Sequence, residues 1–402
     1  MVKELYQIKV NEVTLNVTNS EIDSVRKKNL TKSGCRVYDN GCIGIAGTLG
    51  EPTEETWQKA EKALNMAIAY PFEPNKNLVA KRVNGEWLPE SELIAKAERV
   101  LKILKEEFPE FILSNKIIAQ EETISLKNDA GLDLFNTQNI AQCALIVKEE
   151  ASPNVFDSVI AWDGSEFDEE EIISRGRELL RAHLNLLPMP TERVPVLFSF
   201  STVSGILGDY LHAQKLKKDA SLLSGKEGQK VFAEKLTLFV DRNDHPNAPF
   251  FDAEGTVLPN DRMTLIDKGV VVRGIADKLC ADEFGMELTA CAEGGYDDVP
   301  SLYVNPYALQ LESSGTLKEI LGGRNAIYLG LADGGDITPA GDYASPVQTA
   351  YLYRDGKLIG RLPEFNIRGN IFKMLGEDYV GTSSDGPIDS TKLTAVYCQI
   401  DG

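Results

Sequence analysis

Three histidines, His183, His212 and His245, bound the chemistry that this 402-residue chain can do. Asp209 and His212 stand at i and i+3, a spacing that puts two metal ligands on one face of a helix. His245 or Asp244 could complete such a set, since zinc sites are built from His, Cys, Asp and Glu. The alternative is a surface Asp–His pair. Asp241-Arg242-Asn243-Asp244 has the oxygen ligands of a calcium loop, but Pro246 stands where that loop needs Gly. Six cysteines, at 35, 42, 143, 280, 291 and 398, are scattered with no C-x-x-C pair, which reads as reduced, mostly buried thiols. No Gly-x-Ser-x-Gly elbow, P-loop or Gly-x-Gly-x-x-Gly is present. His183 falls late in an expected helix, where capping its C-terminal end is the expected role.

The elements that must position these residues read as α+β: helices on a mostly antiparallel sheet first, a β-rich half after. Val13, Leu15 and Val17 alternate as in a half-buried strand. A turn near Asn19-Ser20 and a weaker second strand follow. Gly34 to Ala46 reads as a hairpin turning at Asp39-Asn40-Gly41. Helices are expected from Thr53 to about Tyr70, Glu90 to Glu107, and Asp168 to Asn185. Each carries an apolar stripe that core packing explains. Strand candidates between them are 112–126, 131–136, 141–147 and 159–162. The prolines at 188, 190 and 195 place a domain boundary near 190, giving units 1–190 and 191–402. Beyond it come a strand at 194–200 and a helix at about 204–216.

Bulk composition narrows the partners. The formal net charge is −19. Phosphate binding needs Lys and Arg gathered on one face. The dense basic clusters, Lys215-Leu216-Lys217-Lys218 and Arg26-Lys27-Lys28, read as solvated faces, so no nucleic-acid partner is expected. No window approaches the ~18 apolar residues of a membrane span, and the first residues lack a secretory apolar region. The expectation is a cytoplasmic protein.

Certain phrases carry more than composition. They are Pro249-Phe250-Phe251-Asp252-Ala253-Glu254-Gly255, Leu265-Ile266-Asp267-Lys268-Gly269, Thr338-Pro339-Ala340-Gly341-Asp342-Tyr343, Leu352-Tyr353-Arg354-Asp355-Gly356-Lys357 and Ile367-Arg368-Gly369-Asn370-Ile371. More loosely, Gly34-Cys35-Arg36-Val37-Tyr38-Asp39-Asn40-Gly41 and the strand at 194–198 join them. In order and spacing they resemble the TldD/TldE (PmbA) family, often labelled modulators of DNA gyrase. Active members of that family are zinc peptidases carrying His-Glu-x-x-x-His and a cysteine near the C-terminus. Aligned through Gly205-Ile206-Leu207, the first histidine falls on Asp209, the glutamate on Tyr210 and the second histidine on Gln214. Tyrosine, with its high reference pKa, is a poor base at neutral pH. The cysteine region reads Gly381-Thr382-Ser383-Ser384-Asp385-Gly386, without a thiol.

The resemblance therefore implies the non-catalytic, TldE-like subunit of a zinc peptidase complex. It would be inactive alone, with no cofactor in this chain and zinc in the partner. The partner would be a TldD-like chain or a second copy of this one, and the substrate an unfolded or extended peptide. The gyrase label, on this reading, means contact with protein and not with DNA. Two other readings stay open: a self-associating binding or regulatory protein, and a divergent peptidase using Asp209, His212 and His245. Asp252, Glu254, Gly255, Gly341, Asp342, Gly369 and Asn370 are candidate peptide-groove residues of the family phrases. The alternative for them is turns between strands. The same two readings apply to the segments 292–296 and 334–338.

Overall fold

The computed structural model describes every residue except 71–72, 244–247, 304, 333–334, 390 and 402. Its N-terminal half is built on β1 (Val2–Thr18), β2 (Glu21–Asp39), β3 (Cys42–Leu49), β4 (Ile68–Ala69), β5 (Leu78–Asn84), β6 (Phe111–Asn128), β7 (Leu132–Glu149) and β8 (Ser158–Gly164). The sheet runs β4-β3-β2-β1-β6-β7-β5, with β8 also on β7. All pairs are antiparallel except β5 with β7. At about 3.3 Å per residue, a strand of β7's length spans roughly 60 Å. β7 can therefore carry β5 along its first half (Leu132–Gln138) and β8 along its second (Ala141–Val147).

The hairpin turns follow from the residues that hold them. Asn19 and Ser20 have φ of 51° and 60°, and Asn40 and Gly41 have 49° and 73°. Paired left-handed residues match the right-handed twist of the flanking strands. β2 continues through 21–31, where alternation is absent. That stretch lies outside the β3 pairing and is largely exposed, so main-chain bonds to β1 hold it without an apolar face. Likewise 131–147 is one strand and not two. Its polar middle, Asn136 to Asn139, is buried.

Helix α1 (Glu54–Ala63) opens with a capping box between Thr53 and Thr56. It stops earlier than expected, in a short 3-10 turn closed by left-handed Ala67. α2 (Glu90–Glu107) buries Leu93, Ala97, Val100, Leu101 and Leu104. α3 (Glu169–Leu184) is capped by Asp168, whose carboxylate accepts the Glu171 N–H at 2.9 Å. The helices cross closely at Gly176, where an added Cβ would lie 3.0 Å from Leu104.

The C-terminal half centres on a six-stranded sheet ordered 357–362, 349–354, 326–331, 196–199, 393–396 and 379–382. Two four-stranded sheets flank it, one of them ordered 336–337, 342–347, 365–370 and 399–401. One apolar cluster joins β1, β6, β7, α2 and α3 to Leu197, Tyr328, Tyr351, Leu393 and Ala395, so packing runs across residue 190. Among the described residues, no helix is long and apolar enough to cross a membrane.

His183 does not cap α3. It is buried between α3 and the six-stranded sheet, with Nδ1 2.9 Å from the Tyr351 hydroxyl and Nε2 3.2 Å from Arg361 Nη1. Arginine only donates, so Nε2 accepts and Nδ1 carries the proton. The Tyr351 hydroxyl then donates to Ser158 Oγ at 3.0 Å. Burial, aided by Arg361, pulls the imidazole pKa down to about 4.

Candidate functional site

The candidate site residues fall into three places, and the first is the helix after strand 196–199, where the family's metal motif would stand. It is two helices, α4 (Phe200–Leu211) and α5 (Ala213–Lys217), broken at His212 (φ −56°, ψ 120°). The break is held by an outside strand segment. Ile275 donates its N–H to the Leu211 carbonyl at 2.7 Å and accepts from the Ala213 N–H at 3.0 Å. The expectation that Asp209 and His212 share one helix face fails here, because the helix ends between them. Asp209 is exposed and its carboxylate is engaged by the Lys215 ammonium. His212 Nδ1 is buried and, among the described residues, has no hydrogen-bond partner. Burial, then Lys215, pulls its pKa down. Burial pushes the Tyr210 phenol up, and Gln214 is exposed. His245 and Asp244 lie outside the described residues. Among the described residues no group of three His, Cys, Asp or Glu side chains could hold a metal ion. In the 381–386 region, where the family's cysteine would fall, Ser383 Oγ accepts the Leu393 N–H at 2.8 Å and donates to the Asp385 carbonyl at 2.6 Å.

The second place is a buried strap, 249–256, wedged between the N-terminal sheet and the C-terminal half. Phe250, Phe251 and Ala253 pack with Tyr6, Leu126, Leu132 and Leu134. Asp252 organises the turn: its carboxylate accepts the N–H groups of Glu254 (3.0 Å), Thr256 (2.9 Å) and Ala292 (3.1 Å). Glu254 is bound by the Tyr70 hydroxyl and by the Lys278 N–H at 2.9 Å, at the start of α6 (Lys278–Phe284). Burial and neighbouring Asp252 push its carboxyl up to about 8. Gly255 holds a conformation that favours glycine. Its φ is +73°, and a Cβ there would sit 2.9 Å from Leu126. Below the strap, fully buried Arg36 donates to the Ala253 carbonyl at 2.6 Å and pairs with Glu4 at 3.5 Å, while its Nε and Nη2 have no hydrogen-bond partner among the described residues. Glu4 accepts from the Tyr38 hydroxyl at 2.9 Å. A cavity of about 110 Å³ beside Asp252 is also lined by Glu122, Arg242 and Glu293.

The 292–296 segment belongs to the same junction. Ala292-Glu293 forms a two-residue strand, and the chain beyond it lies on β2 and β3. A Cβ on Gly34 would fall 1.7 Å from the Tyr296 carbonyl oxygen, and one on Gly47 2.4 Å from Asp297 Cβ. The Gly34–Gly41 phrase and the two C-terminal phrases thus meet. Glu4, Tyr38 and Tyr70 complete this junction and were not among the sequence candidates. A charged residue at strand position 4 opposite Arg36 was the available signal.

The third place gathers Gly341, Asp342, Gly369 and Asn370. Asn370 donates to the Ala340 carbonyl and to the Asp342 carboxylate, both at 3.0 Å, and accepts the Phe372 N–H at 3.1 Å. Gly341 makes the turn at φ +87°. Gly369 and Asn370 line a cleft of about 700 Å³. The structure therefore separates these four residues from the buried 252–255 group. In the 334–338 segment, Gly334 lies outside the described residues and Asp336-Ile337 is a short strand on 343–344.

The family model for the PmbA/TldA metallopeptidase C-terminal domain matches residues 191–394. An uncharacterised protein of Methanocaldococcus jannaschii is 24% identical over 392 residues, 93% of this chain and 90% of its own. A protein named metalloprotease from Methanothermobacter thermautotrophicus is 24% identical over 54% of this chain and 49% of its own. Among solved structures, TldE from Thermococcus kodakarensis superposes with a TM-score of 0.77 at 21% identity, covering 100% of this chain and 97% of that one. A candidate modulator of DNA gyrase from Thermotoga maritima gives 0.77 at 18% identity, covering 100% and 95%.

Proposed function

The chain belongs to the PmbA/TldD family, and from that premise we propose that it is the non-catalytic partner subunit of a two-component zinc metallopeptidase acting on unfolded or extended peptides. The observation that carries this reading is the broken helix at Asp209–Gln214. A zinc peptidase needs convergent ligands, an open coordination position and a base for the bound water. Here the aligned positions hold an exposed aspartate tied to Lys215, a phenol and an exposed amide, and the chain kinks at His212. These residues do not fit a zinc ion, so no catalytic step is assigned to them.

On this reading the metal sits in a TldD-like chain, and the present chain supplies interface and substrate walls. The six cysteines are all unpaired, which supports a reducing, cytoplasmic setting. The net charge of −19 supports a protein partner over DNA, whatever the gyrase label of its relatives means.

The test is co-expression with a chain carrying His-Glu-x-x-x-His, followed by size-exclusion chromatography, metal analysis and cleavage of an unfolded peptide. Co-elution is expected, with chelator-sensitive cleavage by the pair and none by this chain alone. A stable homodimer that ignores the TldD-like chain would support the binding-protein reading instead. Stoichiometric zinc and cleavage in the isolated chain would overturn the proposal and make Asp209, His212 and His245 the residues to replace.

A further inference from the structure

The N-terminal sheet ends in an open edge. β5 pairs with β7 on one side, and among the described residues no strand pairs with its other side. Leu78 gives its N–H to the Gly131 carbonyl at 3.2 Å. In a parallel ladder alternate residues face the same neighbour, so Ala80, Arg82 and Asn84 also turn their main-chain groups to β7. Val79, Lys81 and Val83 turn theirs to the open edge. Their side chains are exposed as well, Val79 by 78% and Val83 by 55%, with Leu78 half-exposed beside them. An unpaired edge is a template for another chain.

The strand is held from within. Ala80 packs on the cluster of Phe250 and Phe251, and Arg82 donates to the Arg242 carbonyl at 3.0 Å and to the Asp261 carboxylate at 2.8 Å. The open groups are therefore fixed before anything binds, which lowers the ordering cost of association. Charge and size sort the occupants. Neighbouring Lys76, Arg82 and Lys127 are matched by Glu73, Asp261 and Asp133. Lys81 lies 4.9 Å over the Phe135 ring and, among the described residues, meets no carboxylate. In an antiparallel pair of two β5 strands overlapping over 78–84, Lys81 would stand opposite Lys81, and like charges directly opposite destabilise a sheet. A second copy is thus disfavoured. A whole subunit is a poor fit too. Stable interfaces bury roughly 800 Å² per partner, whereas these seven residues form a strip ~23 Å long and one strand wide.

We propose that the open edge of β5 binds an extended peptide segment as an added strand, with apolar side chains against Val79 and Val83 and an acid against Lys81. Main-chain pairing supplies affinity that tolerates many sequences, and the alternate side chains supply the preference. The proposal rests on the reading of this chain as a peptide-handling subunit. It gives the chain a holding site on the N-terminal sheet and not at the helix break at 209–214.

The experiment is fluorescence anisotropy on the full isolated chain with two Thr-rich nonapeptides, carrying Val-Thr-Glu-Thr-Val or Val-Thr-Lys-Thr-Val at the centre. Saturable binding of the Glu peptide is expected, tighter than the Lys peptide by about five-fold or more, the scale of a cross-strand charge pair. Lys81→Glu should reverse that preference. Backbone N-methylation of the Glu peptide at one alternate set of residues should abolish binding, and at the other set should spare it. Val83→Pro removes one outward N–H, a change that an edge strand tolerates on its open side. It should weaken binding about ten-fold without shifting the melting temperature. If that variant fails to fold, the reversal by Lys81→Glu decides. No saturable binding, no reversal, or equal tolerance of both N-methylation sets would each overturn the proposal. So would a folded Val83→Pro chain that has lost a homodimer or its co-elution with the TldD-like chain, since the edge would then be a subunit contact. Co-elution of the parent chain with the TldD-like chain is measured in parallel. It persists if only the edge proposal fails and is absent if the subunit reading fails.

Discussion

The buried strap at 249–256 is a family phrase and the helix break at 209–214 stands where the family's metal motif would fall, and the two are built in opposite ways. In the strap, the carboxyl groups of Asp252 and Glu254 are both buried, and the Asp252 oxygens take three main-chain N–H groups. At the break, Asp209 and Gln214 face solvent and the carboxylate has a lysine for company. A chain can change an exposed position at little cost to folding. A buried carboxylate that satisfies three donors cannot be replaced without leaving those donors bare. The contrast explains how this fold can stand without the family's His-Glu-x-x-x-His pattern.

The sharpest way to break this contrast is Asp252→Ala. Three buried N–H groups lose their acceptor, at about 1–3 kcal/mol for each left unsatisfied, so a loss of about 3 kcal/mol or more is expected in urea unfolding. Asp252→Asn keeps one oxygen for Glu254 and Thr256 but turns an amide toward the Ala292 N–H, and should cost about 1–3 kcal/mol. Equal effects of the two would mean that charge, and not donor satisfaction, holds the turn.

Gly34→Ala tests the junction from the other side. The new Cβ meets the Tyr296 carbonyl, so backbone and not a flexible side chain must move. Overpacking of this kind costs about 1–3 kcal/mol. The segment 294–299 should also become the first site of limited proteolysis, and a variant as resistant as the parent would show that the contact is not needed.

Two buried titratable groups give pH slopes of opposite sign. Glu254 keeps its proton to about 8 in the fold, whereas in the unfolded chain it titrates near ~4.3. The folded state binds more protons between those values, so this group makes stability fall as pH rises through the window. His183 is neutral in the fold down to about 4 and unfolds to a group titrating near ~6.5. Its contribution is complete above the unfolded value and is lost as pH falls toward the folded one. Glu254→Gln should flatten the upper slope and His183→Gln the lower one, read from denaturation midpoints across pH 4–8.

Much of this architecture was legible in the sequence where one rule acted alone. The α2 stripe from Leu93 to Leu104 and the turn at Asn40-Gly41 are local signals, and both appear where periodicity and turn chemistry put them. Legibility failed where tertiary contacts overrode local pattern. β5 offers no alternation because it is an exposed edge strand placed by β7, and Asn136 to Asn139 look like a loop but lie buried inside a long strand. The continuous helix expected over 204–216 is broken by Ile275, some sixty residues away in sequence, which no local rule could anticipate. The strap phrase was visible as a phrase, but its burial between two halves of the molecule depends on Arg36, Tyr70 and Lys278 arriving from three distant places.

The smallest expected effect closes the comparison. Asp209→Ala removes one exposed ion pair with Lys215, and such pairs contribute about 0–1 kcal/mol. The urea midpoint should therefore stay near that of the parent. The same substitution should leave co-elution with a TldD-like chain intact if the break is merely the scar of a lost metal helix. A loss of association without a loss of stability would assign Asp209 to the subunit interface, and the exposed side of the contrast would then be preserved for partner contact and not left free to drift.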